Sequence, residues 1–141
     1  MKDAQLPTVS IVVLTFNAKP YIMKCLESLS SLDYPKDKVE LIVVDSGSTD
    51  GTLDTVCKFR NVKVIQECQR TGVGSAHNLG IRQSSGEILV FVDADVIATP
   101  QSLAELVRVF SVDDLIAGAG GQNVTPPDDS RVGIIGSLVY S

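Results

Sequence analysis

Apolar residues along this chain come in two arrangements: continuous runs, and positions spaced three and four apart. Val9–Thr15, Val39–Asp45 and the run around Ile88–Val92 are nearly unbroken and rich in β-branched types, as expected of strands buried on both faces. Between the first two, Ile22, Cys25, Leu26 and Leu29 recur at helical spacing behind Pro20, which suits a first helical turn, and Tyr34-Pro35 closes the segment. Leu53, Val56 and Cys57 predict the inner face of a second helix, and Val62–Gln66 a short third strand. A third helix is expected to open within Arg70–Asn78 and to run to about Ser84. Thr99 as N-cap and Pro100 at the first position predict a fourth, with Leu103, Leu106, Val107 and Phe110 as its stripe. Leu115–Val124 is expected as a fifth strand, Pro126–Asp129 as a loop, and Val132–Tyr140 as an apolar segment of unassigned type. Strands alternating with helices predict an α/β fold over residues 1–141: a single domain of three layers, α/β/α, with a mostly parallel central sheet.

Composition narrows the partners. A net charge of −5 lacks the basic balance that a nucleic-acid partner requires. The three cysteines, Cys25, Cys57 and Cys68, form no CxxC pair and suggest neither a disulfide framework nor a zinc site. Met1 to Gln5 is polar and Pro7 precedes the first strand, so no signal peptide is read there, and no run of 18 apolar residues is present. A cytoplasmic protein is expected.

The fourth strand ends in Asp93-Ala94-Asp95, two carboxylates separated by one alanine. Ligands of doubly wound sheets gather beyond the carboxyl ends of strands, and carboxylate oxygens suit magnesium or manganese, which bridge phosphates. The second strand also delivers a carboxylate, Asp45, followed by a loop of small residues, Ser46 to Thr52. Gly72 and Gly74 have the first spacing of a dinucleotide fingerprint, but its third glycine position is His77, and the motif follows the third strand rather than the first. His77, the only histidine, has no nucleophilic partner evident in sequence and is a candidate for a phosphate contact.

Taken in order, Val9 to Asn17, Val43 to Thr52, Gly72 through Asn78 with Gly80, Ser85-Gly86-Glu87, and Asp93-Ala94-Asp95 resemble the family-2 glycosyltransferases, over roughly residues 8 to 125. The resemblance implies a GT-A fold, a nucleotide-diphosphate sugar as donor, and Mn2+ or Mg2+ as cofactor. It matches Thr15 and Asn17 to the nucleoside pocket, Asp45 to the acid near the base, Asp93 to the ribose and metal shell, and Asp95 to the direct metal ligand. Ser46, Gly72, His77 and Asn78 complete the expected donor-binding set. Two positions depart from the pattern: many members carry a second aspartate where Ser46 stands, and arginine or lysine where His77 stands. The acceptor (lipid phosphate, polysaccharide or protein) is left open. A nucleotidyltransferase would use the same metal and phosphates. A non-catalytic metal-dependent adhesion module would need Asp-x-Ser-x-Ser after the first strand, whereas Asp45-Ser46-Gly47-Ser48 follows the second.

Inverting transfer also needs a general base near the acceptor. The acids after Asp95 are Glu105, Asp113, Asp114, Asp128 and Asp129, none in the context of the family's acceptor-side motif. The base is therefore expected beyond Ser141. This portion is expected to be the donor-binding part of a longer enzyme, inactive alone, that continues into acceptor-binding segments at the cytoplasmic face of a membrane.

Overall fold

The computed structural model describes residues 6–113, 115–121 and 138–140. Strands β1 (Val9–Thr15), β2 (Val39–Asp45), β3 (Val62–Gln66) and β4 (Ile88–Asp93) are mutually parallel, and β5 (Gly118–Gly120) and β6 (Leu138–Tyr140) add an antiparallel edge. The order across the sheet is β3-β2-β1-β4-β6-β5. Helices α1 (Lys19–Ser30), α2 (Thr52–Val56), α3 (Val73–Gln83) and α4 (Ser102–Phe110) cover it.

Alternation within the apolar runs sorts side chains onto the two faces. Val9, Ile11 and Val13 of β1, Leu41 and Val43 of β2, and Ile88, Val90 and Val92 of β4 face one way. They meet Ile22, Cys25, Leu26 and Leu29 of α1, Val56 of α2, and Leu103, Leu106 and Val107 of α4. Val12, Ile42, Val44 and Phe91 point to the opposite face and meet Ala76 and Leu79 of α3. Both faces are apolar because both are covered, which is why these strands read as unbroken runs. The result is the expected three-layer α/β/α arrangement.

Three expectations need correction. The fourth helix starts at Ser102, with Gln101 as N-cap and no side-chain cap bond, so Thr99 does not cap it. Instead the Thr99 carbonyl accepts from the Ser102 amide and hydroxyl, while the Pro100 carbonyl accepts from the Asp33 amide at 2.7 Å. That last bond takes the acceptor a helix begun at Pro100 would have used internally. Second, Cys57 is exposed and Leu53 only half-buried; the inner face of α2 is Thr52, Thr55 and Val56. Third, the strand expected over Leu115–Val124 is limited to Gly118–Gly120 among the described residues, and it runs antiparallel to β6. Residues 122–124, the loop at 126–129 and most of the 132–140 segment lie outside the described residues.

Candidate functional site

Parallel register brings four strand ends to one edge. Thr15 pairs with Asp45, Asp45 with Gln66, and Leu14 with Asp93. An open cleft of about 240 Å³ lies there, lined by Leu14, Thr15, Phe16, Ser46, Arg70, Gly72, Val73, Ala76 and Asp93. Its polar floor is unusual in one respect. The Thr15 hydroxyl is buried, with the residue 4% exposed, and Oγ1 has no hydrogen-bond partner. Buried hydroxyls are nearly always partnered; among the described residues Ser30 Oγ and Thr15 Oγ1 are the two that are not. Above it, the Arg70 guanidinium lies 3.8 Å from the centre of the exposed Phe16 ring.

Asp45 is fully buried and does not line this cleft. Its carboxylate accepts from the backbone amides of Gly47 (3.0 Å) and Ser48 (2.9 Å) and from the Ser48 hydroxyl. Asn17, in the left-handed region at φ 48°, sits outside the cleft too. Its amide donates to Ser48 Oγ at 2.9 Å, and its Oδ1 accepts from the Thr49 amide at 2.8 Å. Asp50 continues this web, accepting from the amides of Lys19 and Thr52, the first residues of α1 and α2. The Thr52 hydroxyl donates to Asp50 and accepts from the Ala18 amide. Hydrogen bonding by Thr52 is the main reason the Asp50 carboxyl is held below its ordinary value. The hydroxyls and carboxylates of 45–52 thus serve mainly to join two loops.

Asp93 and Asp95, both exposed, flank the buried Ala94. A turn holds them, the Val96 amide donating to the Asp93 carbonyl at 3.0 Å. Neither carboxylate accepts a hydrogen bond among the described residues. The Cys25 thiol beneath is pushed up to about 12, first by burial and then by the charges of Asp95 and Asp93, so it stays neutral. No group of three or more His, Cys, Asp or Glu side chains converges among the described residues. Two unengaged carboxylates still fit a magnesium- or manganese-type ion, which takes one or two protein carboxylates and completes its shell from substrate phosphates and water.

His77 and Asn78 do not line the cleft. The His77 ring packs 4.7 Å from the Phe91 ring, and its Nδ1 lies 2.8 Å from the Val73 carbonyl. The Asn78 side chain is exposed on α3. Three residues were not singled out from sequence: Phe16 and Arg70 in the cleft lining, and Glu67, which lines a separate groove. Glu67 accepts the Ser46 hydroxyl. The signal for it was available, because Glu67 follows β3 by one residue as Ser46 follows β2, and the two strands are in register.

The comparisons agree with this geometry. The sequence model described as "Glycosyl transferase family 2" matches residues 10–131. The glycosyltransferase AglE of Haloferax volcanii is 40% identical over 119 residues, covering 80% of this chain and 39% of that protein. The poly(ribitol-phosphate) beta-N-acetylglucosaminyltransferase TarS of Staphylococcus aureus is 40% identical over 100 residues, 68% of this chain and 18% of its own length. A mannosyltransferase from Pyrobaculum calidifontis, solved in complex with GDP-Man and Mn2+, superposes with a TM-score of 0.84 at 28% identity, over 98% of this chain and 45% of its own. The chain thus spans less than half the length of each of these proteins. The fold is GT-A, and with the family pattern matched along most of its length the chain belongs to glycosyl transferase family 2.

Proposed function

We propose that residues 1–141 form the donor side of an inverting glycosyltransferase that takes its sugar from a nucleotide diphosphate. The observation that carries this reading is the open cleft at the strand ends, which gathers Thr15, Ser46, Arg70 and Asp93. A nucleotide sugar suits those groups. Its base is polar and planar, its ribose offers hydroxyls to Asp93, and its diphosphate is a dianion that Arg70 can approach. In the transfer, an acceptor hydroxyl forms a bond to the anomeric carbon, the bond from that carbon to the diphosphate breaks, and the acceptor's proton passes to a base. A divalent ion on Asp95, shared with Asp93, would offset the charge growing on the departing diphosphate. Among this chain's own residues, Thr15, Ser46 and Gly72 line the nucleoside end, Arg70 faces the phosphates, and Asp93 orients the ribose. Asn17 and Asp45 act indirectly, by holding the loops in place. His77 and Asn78 stay with this set as residues of the helix that opens beside the phosphates.

The acceptor class, lipid phosphate, polysaccharide or protein, belongs to the part of the enzyme that follows the donor side. No helix among the described residues is long and apolar enough to cross a membrane. The Pyrobaculum neighbour's complex with GDP-Man and Mn2+ supports the donor and metal assignments. Calorimetric titration of nucleoside diphosphates with Mn2+ tests them. The parent is expected to bind at least one, and Asp95→Asn to lose the manganese-dependent part while its thermal midpoint is unchanged. Equal manganese-dependent binding by Asp95→Asn would overturn the metal assignment.

A further inference from the structure

Strand β3 is an edge of the sheet: among the described residues it pairs with β2 alone. The Glu67 amide, one residue past the strand, donates inward to the Asp45 carbonyl at 2.9 Å. Alternation then turns the amides and carbonyls of Lys63 and Ile65 inward as well, and those of Val64 and Gln66 outward, with no strand beyond them among the described residues. The side chains alternate too. Ile65 packs on the face covered by α3, and with Glu67 it lines an open groove of about 340 Å³ beside Leu79 and Arg82. Lys63 shares that face, its ammonium donating to the Gln83 carbonyl at the end of α3 at 3.0 Å.

Lys63, Ile65 and Glu67 read as positive, apolar and negative along this face. A pattern of that kind is its own complement when the strand is turned end for end. We infer that this edge pairs with the same edge of a second copy of the chain, antiparallel about a two-fold axis at Ile65, joining two sheets into one. In that register Val64 and Gln66 of one copy exchange amide–carbonyl bonds with Gln66 and Val64 of the other, which satisfies the outward groups. Lys63 stands opposite Glu67 at both ends of the pairing, with Ile65 against Ile65 between them. Registers centred on Val64 or Gln66 would instead set Ile65 against Lys63 or Glu67. A lysine on an edge strand ordinarily discourages pairing; here each one meets a carboxylate. Neither charge is used up within its own copy. The Lys63 ammonium keeps donors beyond the one given to Gln83. Glu67 gives Oε2 to the Ser46 hydroxyl, while its Oε1 accepts no hydrogen bond among the described residues. A single pair of short strands makes a small interface, so the dimer is a weak one, and its two clefts lie at opposite edges of the joined sheet.

Sedimentation equilibrium tests this on the parent, Lys63→Glu, Glu67→Lys and an equimolar mixture of the two variants. The parent is expected to associate reversibly, its dimer becoming populated between about 10 and 500 μM. Lys63→Glu sets glutamate against glutamate at both ends of the pairing, and Glu67→Lys sets lysine against lysine, so each alone should dimerise at least about tenfold more weakly. Mixed, the two variants regain both opposite-charge pairs, and their heterodimer should form within about threefold of the parent affinity. A change that merely disturbed the fold would not be rescued by mixing. The inference is overturned if the parent stays monomeric throughout that range, which would leave this edge to another chain or segment. It is equally overturned if either variant dimerises as tightly as the parent, which would put the contact on another surface, or if the mixture fails to restore association.

Discussion

Asp45 and Asp95 both stand at the end of a buried strand, yet their surroundings give them opposite tasks. Asp45 is fully buried and its oxygens are taken by Gly47 and Ser48, whereas Asp95 is exposed and accepts no hydrogen bond among the described residues. Asp45→Ala should therefore lower stability by about 3 kcal/mol, because it strands two amides and a hydroxyl that had a charged acceptor. Asp95→Asn should stay within about 0.5 kcal/mol of the parent, as surface changes usually do. Urea unfolding of both variants checks the contrast; equal losses would contradict it. In the sequence the two look alike, each an aspartate after an apolar run. Burial by a neighbouring loop is a property of the folded chain, so letters alone place both at the ligand edge but cannot assign one to the scaffold. Ser46 shows the same limit, since its hydroxyl donates to Glu67 just past the neighbouring strand.

Among the elements, α3 is fitted to β1 through Gly80. A Cβ there would lie 2.5 Å from Val12 Cγ1, and Val12 is completely buried in β1. Gly80→Ala gains about 1 kcal/mol of helix propensity. The overlap with a stiff, β-branched neighbour should cost more, typically about 1–3 kcal/mol. We expect Gly80→Ala to be net destabilising and Val12→Ala to recover part of the loss when the two are combined. A double-mutant cycle in urea measures this, and strictly additive effects would show that the contact does not matter. Gly86 is tighter still, since a Cβ would meet the Ser10 amide nitrogen at 2.5 Å, where backbone cannot yield. The parallel strands and the stripes of α1 and α4 were legible because burial on two faces writes itself as an apolar run or a period. The inner face of α2 was not. Its buried positions Thr52 and Thr55 are polar, Thr52 being bonded to Asp50 and to the Ala18 amide, so the apolar letters Leu53 and Cys57 pointed one position too far along. The start of α4 was misplaced for a related reason, a long-range bond from Asp33 to the Pro100 carbonyl that no local pattern contains.

For the molecule as a whole, the two edges of the sheet have different chemistry. At the edge away from the cleft, Glu40 accepts from the hydroxyls of Ser10 and Ser85 and from the Ser85 amide, and Glu87 accepts from the amide and hydroxyl of Thr8. Burial alone would raise the Glu40 carboxyl, but the bonds from Ser10 and Ser85 and the nearby Lys63 charge outweigh it and leave it lowered. Glu87 is lowered by the bonds from Thr8 and by Lys38. A carboxyl lowered in the folded state contributes stability that is complete above its unfolded value and lost as pH falls through the folded one. The urea midpoint should accordingly be flat from neutrality down to about pH 5 and fall below about 4.3, the ordinary glutamate value. Glu40→Gln should flatten that acid limb; an unchanged slope would exclude Glu40 as a contributor. The cleft edge carries the other consequence. The amides of Asn17, Ala18, Lys19, Gly47, Ser48, Thr49 and Thr52 all donate to side-chain oxygens. Loops of this length ordinarily stay loose until a ligand orders them, and binding then bears the entropy. Here that ordering takes place during folding, so these seven amides should exchange with solvent deuterium slowly in the free protein, and the loops beside the cleft are set before any ligand arrives.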